Sequence, residues 1–395
     1  MKKNLPKLLY IGDISVEETV ASPVFFYRLL YDYPSEKLEI VESNLGISDK
    51  NKRIPNVSYH TFFAAYPRLL NSRLSSLYSL FLIFSSKSRA KALKRKLPLN
   101  KPDAILTIAH GTTWLLASYL ARHWNVPLHL VLHDDWIVSR SVYIPAAMRS
   151  WAEKVFVSVY KQAAYQWCIS PEMEEYYSKK YGEPGTVLWP IRSKSLSKHI
   201  EPVAISSSHA LRFVYAGSLH VPAYRKAIIT LADVLAPLNC SLCVFTSLSK
   251  DALKALGLIH SNLSFHPFVE PENFVSTLRQ KADVLFCPLS FETNESETRL
   301  SFPSKLADYT AVGLPILFLG PSDSPGIRWA KRNQNATYVV DNESKEDLEK
   351  AVKQLINSSD LRQRLVEGAI MSGLKYFRYE NAIAPFYSAL TDTPH

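Results

Sequence analysis

Short apolar runs alternate with amphipathic stretches along the 395 residues. Most of the runs are rich in Val, Ile and Leu without polar alternation, which is typical of parallel strands covered by helices on both faces. They predict two sets of strands, at 7–12, 38–42, 103–109, 127–133, 165–169 and 186–189, and at 212–216, 241–246, 263–266, 283–287, 315–319 and 337–340. The amphipathic stretches predict helices at 23–30, 74–97, 114–124, 223–238, 271–280, 303–312 and 345–355. Such alternation predicts a parallel α/β fold.

A polar, Ser-rich segment at 191–210 interrupts this pattern and has no apolar period. We therefore predict two Rossmann-like domains, residues 1–200 and 201–375, because the strand pattern restarts after the segment. A final helical segment, 376–395, completes the chain. Helical character extends over 361–390, with a break expected near Gly373.

The composition, 47% hydrophobic and 21% charged, is that of a globular protein and excludes long disorder. Four cysteines are too few for a disulfide framework. Cys240 and Cys243 have C-x-x-C spacing, but they fall in a predicted buried strand, so we interpret them as structural thiols.

The N-terminus has no secretory pattern, and the longest apolar run, 77–84, is too short for a membrane span. These features predict a cytoplasmic or peripheral protein.

The net charge of +10 is concentrated in one segment. Residues 68–101 contain nine Lys and Arg residues and no acidic residue, and the remaining charges nearly balance. Leu77, Phe81 and Phe84 share a predicted helical face, and bases continue at helical spacing after them. This pattern favours an interfacial helix on anionic lipid. A solvated basic helix is the alternative; nucleic acid is a weaker one, because no recognition motif accompanies the charge.

The segment 301–316, SFPSKLADYTAVGLPI, predicts a short helix with sharp limits. Pro303 suits the first helical position, with Ser301 or Phe302 as the cap. Gly313 suits the position after the helix, and Pro315 opens the next strand.

This predicted helix carries the residues most suited to chemistry. Lys305 lies in its first turn, and Asp308 follows on the same face. A helix N-terminus and a lysine favour phosphate, while a carboxylate accepts hydrogen bonds from ribose hydroxyls. We therefore predict a nucleoside-diphosphate site with Lys305, Asp308, Ser301 and Ser304. A solvated Lys–Asp pair is the alternative.

At these residues the chain resembles the GT-B glycosyltransferases, and specifically the retaining glycosyltransferase family 4. The resemblance implies two Rossmann-like domains with a cleft between them, and a final helix that crosses back to the first domain. It implies a nucleotide-sugar co-substrate on the C-terminal domain and an acceptor on the N-terminal domain, with no metal and no cofactor. Many members carry two glutamates eight positions apart. Here Asp308 takes the second position, and Leu300 stands at the first.

A second donor element is predicted after the strand 212–216. Gly217 and Ser218 end that strand, and Arg225 and Lys226 open the next helix. The resemblance places a basic residue here to neutralise the β-phosphate, since charge stabilisation assists a departing diphosphate. The sequence does not distinguish between the two bases.

Three strand ends in the N-terminal domain supply candidate acceptor-side residues, because ligands bind at the carboxyl ends of parallel strands. They are His133 with Asp134, predicted as catalytic, and the acceptor-side group Asp13, His110, Gly111 and Thr112. His133 resembles the family's cleft histidine near the transferred sugar. A histidine satisfied by neighbouring backbone is the alternative, and for His110 it is equally favoured. Asp134 and Asp135 suggest a metal, but a lone carboxylate pair is weak evidence.

The favoured function is a glycosyltransferase of hexosyltransferase type that transfers a sugar to a glycan or lipid-linked acceptor, as in polysaccharide biosynthesis. The resemblance implies retention of configuration through a front-face route. A nucleotide-sugar epimerase is one alternative, but it needs more acid and base groups than we can place. A two-domain binding protein without chemistry is another, although such proteins are usually exported.

Overall fold

The structure is a computed structural model, and it describes residues 5–19, 21–96, 101–139, 143–196, 200–203, 210–292 and 297–392. The chain divides into two compact units. Unit 1 comprises Met1–Ile191, Glu295–Ser301 and Ala382–His395, and unit 2 comprises Arg192–Asn294 and Phe302–Asn381. The division at Ile191 falls at the start of the polar segment that we predicted as the linker.

Unit 1 is built on a sheet of seven parallel strands in the order β3-β2-β1-β4-β5-β6-β7. The strands are β1 Leu8–Gly12, β2 Leu38–Ser43, β3 Ser58–Phe62, β4 Ala104–Ile108, β5 Leu128–Leu132, β6 Tyr165–Cys168 and β7 Thr186–Val187. Every residue of β1, β4 and β5 is buried, which explains their apolar runs. The edge strand β3 was not predicted, because its half-exposed sequence SYHTF carries no apolar run.

Helices cover this sheet: α1 Ala21–Leu30, α2 Pro67–Leu70, α3 Ser75–Phe84, α4 Ser86–Lys96, α5 Thr113–Trp124, α6 Trp136–Ser139, α7 Arg149–Gln162 and α8 Pro171–Tyr181. The single helix predicted over 74–97 is wrong, because α3 and α4 are separate helices that meet at Ser85. Helices α7 and α8 were not predicted. Local signals still define α8, since the Ser170 side chain accepts a hydrogen bond from the Met173 N–H and Gly182 ends the helix with φ +77°.

Unit 2 is built on six parallel strands in the order β10-β9-β8-β11-β12-β13. They are β8 Arg212–Ala216, β9 Ser241–Thr246, β10 Leu263–Pro267, β11 Val284–Pro288, β12 Ile316–Leu319 and β13 Tyr338–Val340. The later helices are α9 Pro222–Leu235, α10 Lys250–Ala255, α11 Phe274–Lys281, α12 Glu297–Leu300, α13 Lys305–Tyr309, α14 Pro325–Arg332, α15 Lys345–Asn357, α16 Ser359–Tyr376 and α17 Tyr379–Asp392. Of these, α12 lies in unit 1.

All four cysteines are buried and unbridged, and burial raises the pKa of the Cys243 thiol in β9.

The C-terminal helix α17 belongs to unit 1 from Ala382 onward. Its Phe386 ring packs against His129 and Trp167, and the Tyr387 hydroxyl donates to the Leu29 carbonyl at 3.3 Å. Within the described part of the chain, no helix has the length and apolarity needed to cross a bilayer.

The break expected near Gly373 is wrong, because α16 runs through this residue and ends at Tyr376. The glycine is required by packing. A Cβ at position 373 would lie 2.1 Å from Arg192 Nη2 and 2.4 Å from Thr310 Oγ1. Arg192 is fully buried, with Nε donating to the Ala307 carbonyl at 3.1 Å and Nη2 donating to Thr310 Oγ1 at 2.9 Å. These bonds anchor the C-terminal end of α13 in unit 2.

Gly373→Ala is therefore expected to destabilise unit 2 by about 1–3 kcal/mol, the usual penalty for overpacking. Helix propensity alone would give the opposite sign, since alanine is favoured over glycine by about 1 kcal/mol in a helix interior. Thermal unfolding of the two proteins measures the sign. Met371→Ala, at an exposed position of the same helix, is the control and should change little. A stabilised Gly373→Ala protein would contradict the packing account.

Candidate functional site

The strand order of unit 2 reverses between β8 and β11, which are adjacent in the sheet. Ligands of open α/β sheets bind outside the carboxyl ends of the strands at such a switch point. Two of the predicted donor elements follow these strands: Gly217 and Ser218 come directly after β8, and α13 follows β11. The sheet topology thus brings together segments that are far apart in sequence.

Lys305 is the first residue of α13, and its ammonium lies among aromatic rings. Nζ is 4.1 Å from the centroid of the Tyr215 ring and 5.6 Å from that of Tyr224. Burial acts to lower the pKa of Lys305, but the phenols of Tyr215 and Tyr309 outweigh it and raise the pKa above its ordinary value. The ammonium therefore stays charged at neutral pH. Among the described residues, no carboxylate pairs with it.

Tyrosine hydroxyls hold the loop that follows β8 next to this ammonium. The Ala216 N–H donates to the Tyr309 hydroxyl at 2.8 Å, and the Tyr215 hydroxyl donates to the Ser218 carbonyl at 2.8 Å. A Cβ on Gly217 would lie 2.7 Å from Lys305 Nζ, so a side chain at this position would displace the ammonium from where it lies. Sequence reasoning missed both tyrosines, since a buried Tyr in a strand or a helix gives no functional signal.

The start of α13 differs from its prediction. The helix begins at Lys305, and its cap residue Ser304 has helical angles without a side-chain capping bond. Ser301 or Phe302 as the cap, and Pro303 as the first helical residue, are therefore wrong. The helix starts later than predicted because the residues before it form a tight turn. In this turn the Leu306 N–H donates to the carbonyl of Pro303, three residues earlier, at 3.1 Å.

The other predicted residues of this helix take separate places. Asp308 is half-buried on α13, one turn after Lys305, and Ser304 is exposed. Ser301 lies in unit 1, where its hydroxyl donates to Asp134 Oδ1 at 2.7 Å. The structure thus pairs Ser301 with a predicted catalytic residue instead of the donor-side group. At the far end, α13 stops at Tyr309 with Thr310 as its C-cap, so Gly313 as the residue directly after the helix is wrong. Gly313 has φ +79°, three residues beyond this cap, in the turn that leads to β12.

The two bases at the start of α9 have different partners. Arg225 Nη1 donates to the carbonyls of Leu219 at 2.9 Å and His220 at 2.8 Å, so it supports the loop that begins with Gly217. Lys226 is exposed and forms a surface ion pair with Glu343 at 2.7 Å. Of the two candidates, the structure therefore places Arg225 against the donor loop.

His133 follows β5 and is almost fully buried. Its ring packs edge-on against Phe25 at 4.5 Å, and Nδ1 is 3.4 Å from Ser22 Oγ. Burial lowers the pKa of His133 to about 4, although the neighbouring Asp134 acts to raise it, so the ring is neutral at pH 7. Nε2 is buried and has no hydrogen-bond partner among the described residues. Such an atom can hydrogen-bond a ligand.

The loops after β1 and β4 hold the rest of the acceptor-side group. Asp13 Oδ2 accepts the N–H groups of Thr112 and Thr113 at 3.1 Å each, and the Thr113 hydroxyl donates to Oδ1. Gly111 has φ +52°, and a Cβ there would meet Asp13 Oδ2 at 2.2 Å. Asp13 therefore stabilises the N-terminus of α5, a structural role. His110 is half-buried in the same loop and acts electrostatically on His133.

Comparison with known proteins identifies the type of enzyme. A family model described as glycosyl transferases group 1 matches residues 210–358, which span most of unit 2. The chain is a glycosyltransferase of the GT-B fold. Among curated proteins, none has a significant sequence match to the enzyme.

Solved structures resemble the glycosyltransferase over nearly its whole length. HepE from Anabaena, in complex with UDP and glucose, superposes with a TM-score of 0.67 at 13% identity and covers 98% of this chain and 100% of its own. An α,α-trehalose-phosphate synthase (UDP-forming) from Burkholderia vietnamiensis superposes with a TM-score of 0.69 at 10% sequence identity, and the match covers 100% of both chains. WaaG, a glycosyltransferase involved in lipopolysaccharide biosynthesis, superposes with a TM-score of 0.63 at 14% sequence identity. The match covers 98% of this chain and 100% of WaaG. At these identities the likeness shows the fold.

Each carboxylate of the Asp134–Asp135 pair has a hydrogen-bond partner within unit 1. Asp134 accepts from Ser301, and Asp135 Oδ1 accepts the Ile137 N–H at 3.1 Å. In the described ranges, no group of three or more His, Cys, Asp or Glu side chains has the arrangement of a metal site.

Proposed function

We propose that the glycosyltransferase takes its sugar from a nucleoside-diphosphate sugar bound to unit 2, with Lys305 holding the diphosphate. The observation that carries the proposal is the charged ammonium of Lys305, which lies at the switch point beside Gly217. A cation without a carboxylate partner in the described residues is a site for an anion, and a site shielded from water strengthens the attraction. HepE, which has the same fold, was crystallised with UDP-glucose.

The neighbouring groups complete this donor site. Asp308 follows Lys305 by one turn and accepts hydrogen bonds from the ribose hydroxyls. Arg225 holds the loop at Gly217, where the missing side chain lets the diphosphate approach the backbone. The ammonium supplies the charge that a divalent ion supplies in other enzymes, so the reaction proceeds without a metal.

We further propose that the enzyme retains the anomeric configuration. Leu300, at the position where many relatives carry a glutamate, is a buried apolar side chain. A front-face route needs no carboxylate nucleophile. The acceptor hydroxyl forms the new bond on the face that the diphosphate leaves, and a phosphate oxygen of the leaving group takes the hydroxyl proton. His133, on the acceptor side, forms a hydrogen bond with a sugar hydroxyl through Nε2.

A thermal-shift screen against UDP, GDP, ADP and dTDP tests the donor site. One of the four nucleotides is expected to raise the unfolding midpoint, since a ligand present at about 100 times its Kd stabilises the folded protein by about 2.7 kcal/mol. The shift and the transferase activity should persist in EDTA. Lys226→Ala, which changes only a surface ion pair, is the control. If none of the four nucleotides shifts the midpoint, the donor site is wrongly assigned.

The anomeric configuration of the product, measured by NMR, tests the mechanism. The glycosidic bond in the product should have the configuration of the sugar in the donor. An inverted centre would exclude the front-face route. Conversion of the free nucleotide sugar to an epimer, without transfer to an acceptor, would favour the epimerase alternative.

We also propose that the enzyme reaches a lipid-linked acceptor by docking peripherally on an anionic membrane at its cytoplasmic face. Helix α3 exposes Leu77, Phe81 and Phe84 at 65%, 59% and 63%. Helix α4 then presents Lys87, Lys91, Lys94, Arg95 and Lys96 on exposed positions. Exposed apolar side chains beside a basic helix match the interior and the charged surface of such a membrane. Residues 97–100 of the basic segment lie outside the described residues.

A further inference from the structure

A cavity of about 640 Å³ lies in the helix layer of unit 1, between the start of α4 and the helices α5 and α7. It is within the size range of small-molecule sites, roughly 300–1,000 Å³. None of the residues proposed above for the donor or the acceptor lines it. The transfer reaction therefore leaves this cavity unexplained.

The lining of the cavity carries charge of one sign. Lys87, Arg122 and Lys154 contribute three cations, one from each helix, and His123 adds an imidazole. No Asp or Glu is among the described residues that line it, and none in the described ranges forms an ion pair with the three cations. Clustered charges of one sign concentrate ions of the other sign, so the cavity is suited to an anion.

The remaining lining favours an anion with an apolar part. Tyr119, Trp151 and Val155 line the same cavity, and Lys87 Nζ lies 5.9 Å from the centroid of the Tyr119 ring. The hydroxyl groups of Ser86 and Ser158 add hydrogen-bond donors. Outside the lining, Lys94 Nζ lies 2.6 Å from His123 Nε2 and fixes that ring at the rim.

The cavity adjoins the surface that we proposed to face the membrane. Phe84, the last residue of α3, is exposed and stacks on Trp151 with ring centroids 4.4 Å apart. Trp151 in turn lines the cavity, and so do Ser86 and Lys87, which follow Phe84 in the chain. The exposed apolar side chains of α3 and the basic cavity are therefore continuous.

We propose that this cavity binds the phosphate headgroup of an anionic phospholipid, whose acyl chains lie along Phe84 and the exposed face of α3. The proposal rests on the membrane docking proposed above and adds a specific headgroup site to it. Arg122 and Lys154 bind the phosphate oxygens, because guanidinium and ammonium groups form charge-assisted hydrogen bonds with phosphate.

The experiment uses the full chain and dihexanoyl phosphatidylglycerol below its micelle concentration, with binding measured by calorimetry. The wild-type protein is expected to bind this lipid. Arg122→Ala/Lys154→Ala should lower its affinity at least tenfold. The matched control, Lys50→Ala/Lys161→Ala, removes the same charge from exposed positions of unit 1 outside both the cavity and the proposed docking surface, and should bind as the wild type does.

Three outcomes would overturn the proposal: no binding of the short-chain lipid, equal affinity in the cavity variant, or equal binding of glycerol 1-phosphate, which would indicate a free-phosphate site. Phosphatidylglycerol vesicles test the docking separately, because wild-type protein that ignores them at low salt contradicts the docking itself. The nucleotide-induced thermal shift should be the same in all variants, so the donor site is tested independently.

Discussion

Replacing Lys305 by alanine is expected to abolish most binding of the nucleoside-diphosphate donor. The ammonium, which is half-buried among tyrosine rings, contributes charge-assisted hydrogen bonds to the diphosphate. Such bonds are worth about 1.5–3 kcal/mol each, so the loss of affinity should reach roughly 100-fold. Calorimetric titration with the nucleotide identified in the thermal screen measures this loss.

The same substitution should leave unit 2 folded. Removing a half-buried cation relieves its partial desolvation, while the cation–π contacts that are lost with Tyr215 and Tyr224 are worth about 1–2 kcal/mol. We therefore expect little change in the midpoint without nucleotide. Lys305→Met, which fills the same space without charge, should lose affinity to the same extent. Unchanged nucleotide affinity in both variants would show that the diphosphate binds elsewhere.

His133→Ala is expected to reduce turnover much more than donor affinity. The Nε2 atom is buried and has no partner in the described residues, so it is available to a sugar hydroxyl during the reaction. Removing one preorganised hydrogen-bonding group of this kind costs roughly 100-fold in kcat. The donor KM should change little, because an interaction made mainly in the transition state appears in kcat. A His133→Ala enzyme with normal turnover would remove His133 from the mechanism.

The low pKa of His133 adds a pH test. Because its folded pKa is about 4 and the unfolded value is about 6.5, the unfolded chain binds more protons between these values. Its contribution to stability is therefore fully present above pH 6.5 and is lost as the pH falls towards 4. His133→Ala should reduce this loss, measured as the difference between the unfolding midpoints at pH 7 and pH 5. Titration of His133 should cause no change in activity between pH 6 and 8.

The sequence alone was sufficient for the fold class and for every described strand except the half-exposed edge strand β3. The predicted limits of β8 and β9 agree with the structure, because strands buried on both faces must be continuously apolar. The resemblance at residues 301–316 led to the GT-B glycosyltransferase fold, which the comparisons confirm. Helix boundaries were less predictable, and the separation of α3 from α4 at Ser85 carries no strong local signal.

Only the tertiary structure decided which distant residues meet. Lys305 and Tyr309 share α13, but Tyr215 from β8 and Tyr224 from α9 meet this ammonium only because the sheet places β8 next to β11. Likewise, Gly373 suggested a helix break because glycine disfavours helix interiors. In the structure the helix continues, and the missing side chain of Gly373 leaves room for the buried Arg192. Local sequence determines which elements form, whereas the contacts between elements depend on how the sheet orders them in space.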